Sequence, residues 1–201
     1  MSRAVALVIA GAFVSACGAE PPNPAAPLVV DVFQNGARQS PNANGGNFGT
    51  PISAGEEVMP AGVINTSQAS GNAIFHLNEA GTELSYKLIV ANIENVFQAH
   101  IHRGPAGVNG PIVVWLYPST APVPGPFGGG RLDGVIAEGT ITAANLVGPL
   151  TGQPLSVLLD LLRNGGAYVN AHTNDGVAPT NTGPGDFPGG EVRGQVEHRG
   201  H

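Results

Sequence analysis

From residue 69 onward the chain alternates apolar and polar side chains with a period of two. Ala73, Phe75 and Leu77 alternate with Asn72 and His76, and after the turn Asn78-Glu79-Ala80-Gly81 the apolar set resumes as Leu84, Tyr86, Leu88 and Val90, separated by Ser85 and Lys87. Successive side chains on a strand point to opposite faces, so this pattern predicts a hairpin with one buried face and is incompatible with a helix. Residues 97–102 form a third strand, with Phe97, Ala99 and Ile101 on one face and Gln98, His100 and His102 on the other. Residues 112–117, 135–142, 167–172 and 191–196 read as further strands. One helix is predicted, starting at Pro154, carrying Leu155, Leu158, Leu159 and Leu162 on one stripe and stopped by Asn164-Gly165-Gly166. With 30 Gly, 18 Pro and only 11% charged residues, the connections are turn-rich. The fold class predicted is mainly all-β, an antiparallel β-sandwich or barrel with one short helix.

Charge and cysteine usage exclude several functions. The formal net charge is −6 and eight Lys and Arg are scattered over 201 residues, so there is no basic patch and no nucleic-acid partner is expected. Lys87 is the sole lysine, leaving Schiff-base chemistry one candidate. Cys17 is the sole cysteine, so the domain downstream has no disulfide, no thiolate nucleophile and no cysteine-based zinc site.

That cysteine ends a leader. Residues 1–16 carry Arg3 and then an apolar or small-residue run, too short for a bilayer span of about 20 residues but suited to a secretory signal. Val14-Ser15-Ala16-Cys17 resembles the lipobox of bacterial lipoproteins, in which the cysteine is acylated and becomes the new N-terminus. The expectation is a lipoprotein signal peptide over 1–16, lipidation at Cys17, and export to a membrane-anchored location, periplasm-facing at the outer membrane or at the cell surface. Residues 17–51, rich in Pro, Asn and Gly, read as a flexible tether in which residues 28–33 are a short candidate strand. Residues 52–198 read as the domain and 199–201 as a tail.

Four segments, in order, resemble the CHRD (chordin) domain family. They are Gly55-Glu56-Glu57-Val58-Met59-Pro60; Ala99-His100-Ile101-His102 with the following GVNGPIVV; Tyr168-Val169-Asn170-Ala171-His172-Thr173; and Gly190-Glu191-Val192-Arg193-Gly194-Gln195. Met59 stands where the family has proline, and the Gly/Pro stretch near 125–130 and the loop 174–189 are enlarged. The resemblance implies an extracellular immunoglobulin-like or related β-sandwich. In animal chordin such domains belong to a secreted antagonist of growth factors, and for bacterial members the resemblance implies no established activity.

Read from the residues alone, the later strands gather one polar face. Gln98, His100 and His102 share it with Tyr168, Asn170 and His172 and with Glu191, Arg193 and Gln195, if the three strands are neighbours. Histidines at i and i+2 on a strand have Cα atoms about 6.5–7 Å apart, so both rings can reach one metal ion. His172 would complete a three-nitrogen site for Zn or Cu. The His-x-His element with a nearby arginine also resembles the copper site of Cu,Zn superoxide dismutases. Two other readings stand beside it, a structural polar network on an outward sheet face, with Glu191 paired to Arg193, and a non-metal ligand site. The functional expectation is therefore a lipid-anchored, non-enzymatic binding or structural module with a protein or glycan partner, the alternative being a His-ligated metal protein. His76 reads as a surface residue, and His198 and His201 as tail residues. No catalytic set is found: residues 128–131 lack the Lys-Ser/Thr of a phosphate loop, Asp175 and Asp186 lack the carboxylate density of a calcium loop, and no serine sits in a nucleophile elbow.

Overall fold

The computed structural model describes residues 46–118, 125 and 127–199. The leader, Cys17, the spacer up to residue 45, the candidate strand 28–33 and His201 lie outside the described residues. Among those described are strands β1 (Gly46–Ser53), β2 (Ser70–Leu77), β3 (Leu84–Glu94), β4 (Val96–Arg103), β5 (Ile112–Tyr117), β6 (Arg131–Ile141), β7 (Ala167–Thr173), β8 (Val192–Gln195) and β9 (Glu197–Arg199), with helix α1 (Leu155–Arg163). The strands form one antiparallel sheet in the order β5-β4-β7-β8-β1-β2-β3-β6, and β9 also pairs with β1. The sheet curls into a nearly closed barrel. Its two ends are β5 and β6, and near them the Tyr86 hydroxyl on β3, the neighbour of β6, donates to the Leu116 carbonyl on β5 at 2.9 Å.

The period-2 residues do what the alternation dictates. Ala73, Phe75 and Leu77 on β2 face Leu84, Tyr86 and Leu88 on β3, all buried, while Asn72, His76, Ser85 and Lys87 are exposed. The hairpin turn is closed by Asn78, whose Oδ1 accepts from the Thr82 and Glu83 amides, and by Gly81 at φ 70°. The α1 stripe of Leu155, Leu158, Leu159 and Leu162 joins the same core, and Gly165 at φ 65° ends the helix.

Two boundaries differ from expectation. Residues 46–51, read as tether, are the first part of β1, which pairs with β2 along its whole length. Their Asn/Gly composition hid an inward set of Phe48, Thr50 and Ile52. Gly49 is there because a Cβ would lie 2.9 Å from the Ala73 carbonyl oxygen and 3.2 Å from the Arg199 side chain. Arg199, read as tail, is the last residue of β9, and His198 packs edge-on against Phe48 with ring centroids 5.3 Å apart.

Tyr86→Phe removes this donor and leaves the Leu116 carbonyl without it. The expected loss is about 1–2 kcal/mol in urea unfolding at an unchanged m-value. A variant indistinguishable from wild type would show that this bridge does not help hold the barrel closed.

Candidate metal centre

Strands β4, β7 and β8 are neighbours, and the register sets His100 opposite Asn170, His102 opposite Tyr168, and Asn170 opposite Arg193. One face of this trio, with Ala99, Ile101, Val169, Ala171 and Val192, joins the apolar core. The other carries the expected polar side chains, but it is not an outward, solvated face. His100 is 0% exposed, and His102, Asn170, His172, Glu191 and Arg193 are all buried. Loops 104–110 and 174–190 and the segment after β1 cover it.

The three histidines meet beneath those loops. Each offers a ring nitrogen, and the three nitrogens lie within 4.8 Å of one another. His100 Nδ1 and His172 Nε2 are 3.2 Å apart. The ring centroids of His100 stand 5.4 Å from His102 and 5.0 Å from His172. Backbone carbonyls fix two of the tautomers. A carbonyl only accepts, so His102 Nδ1–H donates to Gly110 O at 2.8 Å and His172 Nδ1–H donates to Pro188 O at 2.9 Å. In the neutral rings both Nε2 atoms therefore carry lone pairs. His102 Nε2 and His100 Nε2 are buried without a hydrogen-bond partner in the protein.

Burial holds these rings neutral. Desolvation, then the neighbouring His172 and His102, push His100 down to about 2, and desolvation pushes His172 down to about 4. His102 is lowered by burial first, partly opposed by its bond to Gly110. Neutral imidazoles with Nδ1–H tied to carbonyls and Nε2 turned inward are in the state that metal ligation requires. Donors bound tetrahedrally at about 2.0–2.1 Å lie about 3.3–3.4 Å apart, so nitrogens within 4.8 Å of one another would draw together by up to about 1.4 Å on ligation.

The remaining expected residues divide. Tyr168 stacks flat on His102 with centroids 4.9 Å apart, and the Arg193 guanidinium carbon sits 3.4 Å above the Tyr168 ring. Arg193 does not pair with Glu191. Its N–H groups donate to Asn109 Oδ1 and to the Pro105 and Val108 carbonyls, so it clamps the 104–110 loop. Glu191 is turned the other way and accepts from Ser67 Oγ, Thr173 Oγ1 and the Gly185 amide. Gln195 donates to the Gly104, Gly165 and Ala167 carbonyls. Gln98 is half-buried opposite His172 and makes no hydrogen bond among the described residues. Asn170 stays with the histidines, its Oδ1 2.9 Å from His172 Nε2.

Sequence reasoning missed Glu57 and Trp115. Glu57 lies in the GEEVMP segment and is buried beside the cluster, where Asn170 Nδ2 donates to its Oε2 at 3.5 Å. Burial raises its pKa above the usual carboxylate value, against a smaller lowering by the Val58 amide and Arg193. Gly190, at φ 133°, makes room for it, since a Cβ there would lie 2.3 Å from Glu57 Oε2. Trp115 stands perpendicular to His100 with centroids 4.2 Å apart. It falls in an apolar run that reads as plain core, and only the β4–β5 register reveals it.

The buried histidines make a testable acid signature. Their folded pKa values lie below the unfolded value of about 6.5, so below pH 6.5 the unfolded chain binds protons that the folded chain refuses. Stability of the metal-free protein is lost as pH falls from 6.5 towards 4, by up to about 1.4 kcal/mol per pH unit for each histidine. Glu57 acts in the opposite sense. His172→Gln isolates the effect: its urea-derived stability, plotted against pH with a chelator present, should fall less steeply than wild type, and parallel curves would contradict the assignment.

A family model described as the CHRD domain matches residues 48–196. No curated protein matches the chain.

Proposed function

The chain belongs to the CHRD domain family, and on that premise we propose that it is an exported, lipid-anchored module whose domain binds one transition-metal ion through His100, His102 and His172. The observation that carries this reading is the pair of Nε2 lone pairs, on His102 and His172, turned inward by Nδ1–H bonds to backbone carbonyls. His172 Nε2 lies 3.2 Å from His100 Nδ1 and 2.9 Å from Asn170 Oδ1, but a purely structural network would also spend His102 Nε2 and His100 Nε2, and these are buried without a hydrogen-bond partner in the protein. Three neutral imidazoles with no thiolate suit Zn or Cu. The covering loops favour binding over turnover, since they leave the rings almost no exposure. The arginine of a superoxide-dismutase-like site has no counterpart in Arg193, whose guanidinium is engaged by the 104–110 loop.

Trp115 is the single tryptophan, and it touches His100, so its emission reads the site directly. Cu(II) added to the chain carrying His198→Ala should quench it to an end point at one equivalent. Zn(II) at about 100 times its Kd should add about 2.7 kcal/mol of stability. His100→Ala and His172→Ala should abolish both responses. Absence of stoichiometric metal, with metal supplied during refolding, would contradict the proposal.

The anchoring half rests on the leader pattern and on Cys17 being the sole cysteine. Among the described residues no helix is long and apolar enough to cross a membrane. In a bacterial host, Cys17→Ser should block fatty-acid labelling and move the protein from the membrane to the soluble fraction. Unchanged membrane association would remove the lipid anchor from the account.

A further inference from the structure

Asn170 stays with the histidines and binds no loop carbonyl. Its Oδ1 lies 2.9 Å from His172 Nε2, and that nitrogen in turn lies 3.2 Å from His100 Nδ1. His172 spends its proton on Pro188 O, so its Nε2 lone pair faces the lone pairs of Asn170 Oδ1 with no hydrogen from either partner between them. Two electron-pair donors at that separation repel each other. They are also spaced as ligands of one ion are, since donors bound tetrahedrally at about 2.0–2.1 Å lie about 3.3–3.4 Å apart. The ladder reinforces the placement: Asn170 is the cross-strand partner of His100, and its side chain also reaches His102. Asn170 itself is 2% exposed.

We propose that Asn170 Oδ1 is the fourth donor of the centre, completing a three-histidine, one-amide set for a divalent ion, and that Glu57 is the positioning residue that keeps this oxygen turned inward. The inference rests on the three-histidine reading above. Glu57 performs its part by accepting from Asn170 Nδ2, which places the amide NH2 outward and the carbonyl oxygen against His172. The carboxyl is itself held by the Val58 amide at Oε1. Gly190 leaves the space it occupies, for a Cβ there would meet both Glu57 Oε2 and, at 3.0 Å, Asn170 Nδ2. This outer contact resembles in kind the hydrogen bonds that orient metal-bound side chains generally. An amide oxygen is a hard donor, so its presence favours Zn(II) or Cu(II) over Cu(I). The four donors then come from two adjacent strands, with Asn170 and His172 separated by one residue on β7 and His100 and His102 separated by one residue on β4.

The test measures Cu(II) affinity by Trp115 quenching and Zn(II) affinity by competition, on the full chain carrying His198→Ala. Asn170→Leu should weaken both roughly 10–100-fold, and Asn170→Asp, which keeps the oxygen and adds charge, should bind at least as tightly as the parent. Glu57→Leu should weaken binding about tenfold, and Glu57→Gln, which keeps an oxygen facing Asn170 Nδ2, should restore most of it. If the parent binds and Asn170→Leu matches it within twofold, or if Asn170→Asp binds more weakly, the fourth-donor inference is overturned while the three-histidine site stands. If the parent itself binds no metal, the underlying reading fails instead. Should Asn170→Leu not fold, the Asn170→Asp result decides.

Discussion

Strand β7 is buried on both faces along its whole length, and the rest of the molecule is arranged around that constraint. One face, with Val169 and Ala171, closes the apolar core. The other, with Tyr168, Asn170 and His172, must satisfy polar groups without water. The loops do this. Gly110 O and Pro188 O take the histidine Nδ1 protons, Arg193 gathers the 104–110 carbonyls, and Glu191 collects Ser67, Thr173 and Gly185. Among the described residues the buried side-chain atoms left without a partner are His100 Nε2, His102 Nε2, Asp186 Oδ1 and Gln195 Oε1. The two histidine nitrogens belong to the cluster where three strongly metal-ligating side chains meet.

Two carboxylates near this face have separate duties. Glu191 is surrounded by neutral donors and ties the long β7–β8 loop to the segment before β2. Glu57 has weaker support and lies against Asn170. Neither forms an ion pair, and the three salt bridges among the described residues, Lys87–Glu138, Arg131–Asp133 and Arg163–Asp160, are surface pairs of small energetic weight. Cohesion comes instead from the apolar core and from hydrogen bonds between the polar face and its covering loops.

Much of this was legible in the sequence. The alternation at residues 72–90 yields the β2–β3 hairpin, the leucine stripe yields α1, and the shared parity of Gln98, His100, His102, Tyr168, Asn170, His172 and Arg193 yields one face. Burial of that face was not legible, because polar residues at period two look the same under solvent or under loops. The strand in residues 46–51 was obscured because its Asn and Gly residues read as linker composition, although Gly49 is required by the close Ala73 carbonyl. Glu57 could not be placed, since its role depends on a contact across 113 residues of chain. The pairing of Glu191 with Arg193 failed because adjacent parity on one strand says nothing about which loop each side chain reaches.

On the proposed reading, His102 and His172 present unprotonated Nε2 atoms to the point where an ion would sit. Long-range proton–nitrogen correlation spectra of the metal-free protein at pH 7 read this state directly. The account predicts Nδ1–H tautomers for both rings, with Nε2 unprotonated, and a large shift confined to the ligating nitrogens of His100, His102 and His172 when one equivalent of Zn(II) is added. Nε2–H tautomers, doubly protonated rings, or spectra unchanged by zinc would contradict it.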